Sequence, residues 1–444
     1  MKIDKEWSQL TPEERREERL RRWLSPPGVE FVGPEAEKAY RERVTRFIRA
    51  IKLEKPDRVP CVLPAAFFPA YYAGTTLQKV IYDYDELRRA WLKYLHEFDT
   101  DAFHAPGNVF PGEVLAGLDF RLYRWPGHGL SPDVSSYQFA EGEYMMADEY
   151  DSLIEDPSDF WTRVYLPRVF GALVPFREMS PATTVMEIPM TYLAPYTRPD
   201  VRAAFRTLLA AGEAMEKWQE TVAEVSQAAI SSGYPGLFSG FAKAPFDILG
   251  DTLRGTRGIM LDMYQRPDKL HEAMARITPL TIKSAVVMAD ASFVPTVMIP
   301  LHKGADSFMS VRQFETFYWP TLKEVVLALI DEGIVPVLFA EGSYNQRLEI
   351  VRDLPRATVI WYFDQTDMGR AKEVLGGTAC LAGNVPTSLL YTATPEAVKE
   401  HCRRLIEVCG RGGGYILTGG AGVDDCPPDN LRAMMAAVKE YGVY

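Results

Sequence analysis

Apolar runs that stop abruptly at ionisable or amide residues mark the second half of the chain. Val294 to Leu301 leads into His302, Lys303 and Asp306, Val335 to Ala340 into Glu341, Thr358 to Phe363 into Asp364, and Ala379 to Ala382 into Gly383 and Asn384. Short continuous apolar runs read as strands buried on both faces, as in a parallel sheet covered by helices. Val59 to Leu63, Asp101 to His104, Gly236 to Phe241 and Tyr415 to Thr418 bring the strand candidates to eight. Stretches with helical spacing lie between them: Tyr84 to Phe98, Arg312 to Asp331, and the one opened by Thr394-Pro395-Glu396 that runs to about Cys409. Eight alternating units predict an α/β protein of the TIM-type (β/α)8 class, whose functional groups stand at the C-terminal ends of its strands.

Two departures from this rhythm set the domain plan. Residues 1–54 predict a helical extension packed on the outside of the barrel formed by residues 55–444. Thr11-Pro12-Glu13-Glu14 is a capping box with proline at the first helical position, and Tyr40, Val44, Phe47 and Ile51 form one apolar stripe within a second helix from Pro34 to Lys52. The charges of this extension read as a solvated face. The long interval after the second strand predicts an insertion near the barrel mouth, in which Tyr137 to Tyr144 alternates around a glycine and suggests a hairpin.

Composition narrows the function classes. The chain has 444 residues, 47% hydrophobic and 25% charged, enough to bury a large core. A net charge of -11 argues against nucleic acid or an anionic membrane surface as partner and favours a small molecule or a protein. Cys61, Cys380, Cys402, Cys409 and Cys426 include no CxxC pair and no usual zinc spacing, which fits a reduced compartment. Met1 to Ser8 has no apolar leader and no run approaches a membrane span, so a cytoplasmic protein is expected.

The ionisable strand ends carry the candidate chemistry. His302, one of six histidines, reads as a metal ligand, a general acid or a hydrogen-bonded core histidine. Glu341 follows the next strand and is placed to share a ligand with it, as a metal partner or a proton holder. Asp364 is a third catalytic candidate, with helix capping as its structural alternative. Phe67, Tyr71, His104, Asn108, Trp361 and Asn384 are the candidate substrate contacts; the aromatics among them could equally be core. The glycine-rich runs Gly410 to Gly414 and Gly419 to Gly422 lack nucleotide-loop spacing.

Several ordered segments resemble the uroporphyrinogen decarboxylase superfamily over residues 45–444. They are Lys55 to Pro60, Pro245 to Asp247, Arg254 to Leu270, Ser310 to Pro320, Gly383 to Pro386 and Thr418 to Met434. The resemblance implies a TIM-type barrel with a C-terminal cleft, and either porphyrinogen decarboxylation or corrinoid-linked methyl transfer. Its decarboxylases carry an arginine-rich loop after the first strand, where this chain reads Pro64 to Gly74 without a positive charge. A polyanionic porphyrinogen would lose about 1.5–3 kcal/mol per missing charged hydrogen bond there. Its zinc-dependent thiol methyltransferases carry H-x-C and a later cysteine, where this chain has Phe339-Ala340-Glu341 and Ala421. The branch left by these departures takes a methyl group from a small aromatic or otherwise apolar donor and passes it to a corrinoid protein. That implies a corrinoid supplied by the partner, since the chain has no DxHxxG motif, and admits zinc at His302 and Glu341 and a homodimer. The alternatives are a decarboxylase of a less anionic substrate, with Asp364 or Asp306 organising the proton, and a binding barrel without catalysis.

Overall fold

The computed structural model describes residues 6–184 and 189–444; the first five residues of the segment read above as free of a leader lie outside that range. Six parallel strands follow one another in space as they do in sequence: β4 (Gly240–Phe241), β5 (Thr296–Leu301), β6 (Val335–Ala340), β7 (Ile360–Phe363), β8 (Cys380–Val385) and β9 (Tyr415–Gly419). Three shorter strands, β1 (Tyr123–Pro126), β2 (Gly129–Leu130) and β3 (Gln138–Phe139), form a separate small sheet. Residues 60–66 extend the larger sheet beyond β9, with Val62 N–H donating to Leu417 O at 2.9 Å and Leu417 N–H to Pro60 O at 2.9 Å. From there Asp101 N–H reaches Cys61 O, Phe103 N–H reaches Pro235 O, and Ser239 N–H reaches Thr296 O beside β4.

The run Asp101 to His104 does not form a strand. Side chains take over the ladder: Cys61 N–H donates to the Asp101 carboxylate at 2.7 Å and Leu63 N–H to the Thr100 hydroxyl at 3.3 Å. Only Gly240 and Phe241 of the run Gly236 to Phe241 pair as a strand. The hairpin expected around Gly142 is also absent, because β3 pairs antiparallel with β1 instead.

Alternation along each strand sorts the core into two layers. Val297, Ile299, Leu338, Trp361, Phe363 and Leu381 face the helices, whereas Met298, Val335, Val337, Ile360, Ala382 and Ile416 face inward. The N-terminal extension belongs to that inner layer. Its helices Pro12–Leu24 and Pro34–Ile51 bring Leu20, Trp23, Tyr40, Val44, Phe47 and Ile51 into the same cluster as the inward strand residues. The capping box and the apolar stripe thus form as expected, and the stripe packs against the inward-facing strand residues. Arg19 Nε donates to Glu332 O and Arg16 to Ala357 O, which fixes the first helix below the starts of β6 and β7. One end of the inner layer is thereby closed, and chemistry is left to the other. Among the described residues no helix is long and apolar enough to cross a membrane.

Candidate functional site

His302 and Lys303 leave the sheet where β5 ends. Their backbone N–H groups both donate to the buried Asp247 carboxylate at 3.0 Å, and the Tyr318 hydroxyl donates to it at 2.7 Å. These three bonds satisfy a carboxylate that water cannot reach, and they set the turn that aims His302. Burial, reinforced by the nearby Asp251 charge, pushes the Asp247 carboxyl up to about 6.

The His302 ring lies between two carboxylates. Its Nδ1 is 2.6 Å from Asp251 Oδ2 and its Nε2 is 3.4 Å from Glu341 Oε1. Leu301 and Ala340 are register partners in the parallel pair β5 and β6, so the residues that follow them emerge side by side. Burial opposes a charge on the ring, but Asp251 and Glu341 outweigh it and raise the His302 pKa to about 10. Asp251 also receives Lys243 Nζ at 2.9 Å and Lys303 Nζ at 3.3 Å. Burial works against its ionisation too, yet His302 and Lys243 hold its carboxyl well below the usual range.

A metal does not fit this donor set. Both ring nitrogens of His302 face carboxylates, and His302 with Glu341 supplies two donors where a catalytic zinc takes three protein ligands. Among the described residues no group of three or more His, Cys, Asp and Glu side chains is arranged to hold an ion.

The insertion between the second and third strand segments roofs the same end. Glu141 accepts from Thr256 N–H, whose hydroxyl receives Lys303 Nζ at 2.7 Å, and Arg254 binds both Glu143 and Met145 O. Beside the small sheet, which is strapped in this way, runs a row of rings: Phe67 on Tyr137 (4.8 Å between centroids), Tyr137 stacked on Phe110 (3.9 Å), and Phe110 against Tyr123 of β1 (5.3 Å). Burial, with the charges of Asp251 and Glu341, raises the Tyr123 phenol above its ordinary value. Phe339 and Tyr362, stacked at 4.3 Å and facing inward, lie at the upper edge of the inner layer.

The other sequence candidates divide among different tasks. Phe67 joins the ring row, and Tyr71 accepts from Leu77 N–H beside it. His104 stacks on Phe238 at 5.6 Å, and burial pulls its pKa down to about 4, so it is a neutral ring. Asn108 is exposed and uses its backbone carbonyl to accept from Tyr137. Trp361 is a correction: it points away from the inner layer and packs near Trp319 and Phe363, because strand alternation turns its neighbour Tyr362 inward. Asn384 donates to Asp364 O and Thr366 O, a clamp on the neighbouring loop. Asp364 accepts from Gly342 N–H, and burial raises its carboxyl; with Asn384, His401 and Arg404 it lines a cavity of about 610 Å³ whose lining does not include His302. Asp306 staples the loop that follows β6 through Ser343 and Gln346.

Sequence reading missed Asp247, Asp251, Lys243 and Tyr123. Asp247 and Asp251 do carry a signal, since two aspartates four residues apart after a strand share one helix face. Lys243 and Tyr123 carry none, because only tertiary folding brings Lys243 to Asp251 and Tyr123 to Phe110.

Comparison with known proteins supplies the lineage. The family described as uroporphyrinogen decarboxylase matches residues 196–441. Uroporphyrinogen decarboxylase of Methylococcus capsulatus is 26% identical over 209 residues, which is 46% of this chain and 58% of that protein; that of Coxiella burnetii is 25% identical over 186 residues, 41% and 50% respectively. The matches thus span about half the length of these curated relatives. A solved methyltransferase from Methanosarcina mazei shares the fold at a TM-score of 0.57 and 17% identity, covering 89% of this chain and 98% of that one.

Proposed function

The chain belongs to the uroporphyrinogen decarboxylase family, and from that premise we propose that it is a methyltransferase that demethylates a small aromatic or apolar donor and hands the methyl group to a corrinoid protein. In this reading the six-stranded sheet, with residues 236–239 leading into β4, and segments 60–66 and 101–104 complete a (β/α)8 barrel, with residues 1–54 as its N-terminal closure, in the cytoplasm. The observation that carries it is His302 held between Asp251 and Glu341, with a row of aromatic rings on the insertion that is strapped to the same strand ends. The loop from Pro64 to Gly74, free of cations, argues against a porphyrinogen. The fold shared with a methyltransferase supports the same branch.

The chemistry follows from what these side chains do. As the methyl–oxygen bond breaks, its electron pair stays with the leaving oxygen, while the methyl carbon bonds to the reduced corrinoid that the partner delivers as second substrate. His302 Nε2–H gives its proton to that oxygen. A general acid works best when its pKa is matched to the task, and an imidazolium near 10 matches a phenol of about 10. Glu341 and Asp251 hold the ring in its donor form, and the ring row excludes water and orients the donor. Incubation with a reduced corrinoid protein and a panel of methyl donors tests the reading; a corrinoid spectrum that stays unmethylated with every donor class removes it.

A second reading, decarboxylation of a substrate less anionic than a porphyrinogen, draws support from the names of the curated relatives. Carbon dioxide release without any corrinoid would favour it.

A further inference from the structure

We propose that a second copy of this chain docks on the solvent side of the long helix Pro199–Ser231, forming an antiparallel helix pair centred on Leu209. The inference is independent of the reaction proposed above. Ala204, Trp218, Thr221 and Val225 turn toward the body of the protein, where Trp218 Nε1 donates to Val109 O at 2.9 Å. Along the opposite side Arg202, Arg206, Leu209, Glu213 and Glu216 follow one another at alternating steps of four and three residues, and all five are exposed. That spacing is the seam of a coiled coil.

The stripe is sorted by charge. Its first two members are cations and its last two are anions, and Glu220 continues it with a further anion. Like charges three or four residues apart oppose helix formation. Other exposed helices of the molecule pair opposite charges at those steps: Glu18 with Arg21 and Arg22, and Arg403 with Glu400 and Glu407. Among the described residues Arg202, Arg206, Glu213 and Glu216 enter no ion pair, and Lys217, four residues after Glu213, lies over the Tyr84 ring instead. A two-fold axis at Leu209 pairs all four. Arg202 and Glu216, seven residues before and after the centre, meet across it, as do Arg206 and Glu213, three before and four after, and each contact occurs twice in a symmetric pair. Parallel pairing would set cation on cation and anion on anion, so the charge order selects the antiparallel arrangement. Leu209, 68% exposed in the single chain, then packs on its own copy. Gly212 nearby lets the two backbones approach, since nothing lies within 4 Å of where a Cβ would stand. Apolar surface continues past the helix: Met190 and Leu193 are 66% and 52% exposed, in the segment whose Tyr196 packs on Phe205 of this helix at 5.5 Å between centroids.

Sedimentation equilibrium of the full chain tests this, with Arg202→Glu/Arg206→Glu as one variant and Glu213→Arg/Glu216→Arg as the other. Wild type should be dimeric at micromolar concentration and should weaken with added sodium chloride, because exposed charges are screened. Each variant alone should be monomeric, its Kd raised about a hundredfold or more as four attractions become four repulsions. Mixed in equal amounts, the two should form a one-to-one dimer, because each then carries a stripe of one sign. The substituted side chains are all exposed, so circular dichroism melts should match wild type. A wild type that stays monomeric, a dimer that survives either double substitution, or variants that remain monomeric on mixing would each overturn the proposal. A corrinoid protein that binds a monomeric wild type and neither variant would overturn it too, and would give this surface to that partner.

Discussion

The two ends of the inner layer each bury a carboxylate among cations, and they use it differently. At the closed end Asp101 is fully buried, with Arg46 at 3.0 Å, Arg58 at 2.7 Å and Cys61 N–H at 2.7 Å, beside the plug of Trp23, Tyr40 and Phe47. At the open end Asp251 is 10% exposed and faces His302, Lys243 and Lys303. Arginine does not titrate in the working range and spans two acceptors with a rigid fork, so the first cluster is a permanent brace. Imidazole and ammonium groups can gain, lose or redirect a donor, so the second is a set of groups with capacity to spare. A buried ion pair is therefore a poor guide to function until the identity of the cation and the space beside it are known.

Substitutions should separate the two clusters. His302→Ala is expected to slow methyl transfer by about 10²–10⁴-fold, the usual contribution of a positioned acid. Its unfolding free energy at pH 7 should fall by less than that of Asp101→Ala, because the ring is 35% exposed and Lys243 and Lys303 still pair with Asp251. Asp101→Ala should do the opposite, costing about 3–5 kcal/mol of unfolding free energy by stranding Arg46 and Arg58, with activity per folded molecule retained. If Asp101→Ala instead leaves stability intact and removes activity, the contrast between the ends collapses.

Asp251→Asn sharpens the comparison through pH. The His302 pKa is raised from 6.5 to about 10, so the charged form and the stability it contributes are complete below about 6.5 and are lost as pH rises through about 10. Removing the Asp251 charge should bring the alkaline limb of the rate profile down by more than one pH unit, as a single close carboxylate shifts a partner by about 1–3 units. Glu341→Gln should move the same limb by less, since Glu341 is farther away and more exposed. A limb that stays in place in both variants would mean that another group supplies the proton.

The smallest expected effect tests the strand alternation. Trp361→Phe should cost about 1–3 kcal/mol of stability with little change in substrate affinity, because the ring fills the helix-facing layer. Tyr362→Phe should cost about 1 kcal/mol, through the lost bond to Gly419 O, and alter donor affinity as well. The reverse outcome would restore Trp361 to the mouth.

Much of this architecture was legible in the chain alone, because strands buried on both faces must be continuous apolar runs and helices must begin with caps. The runs into His302, Glu341, Asp364 and Asn384 became β5 to β8 and their ends, and Thr11 and Glu14 capped the helix that they signal. The pairing of His302 with Glu341 followed as well, since neighbouring parallel strands deliver their next residues side by side. Tertiary structure decided the rest. A side chain displacing a ladder bond, as Asp101 does at Cys61, leaves no trace in hydrophobic pattern. Which of Trp361 and Tyr362 faces inward depends on register, and periodicity of two does not reveal its own phase when both faces are apolar. Lys243, Asp251 and Tyr123 lie 59, 51 and 179 residues from His302. Groups so distant in sequence combine only once the sheet, the turn at Asp247 and the strapped insertion have placed them, because electrostatic interaction depends on distance in space and on burial, neither of which is written along the chain.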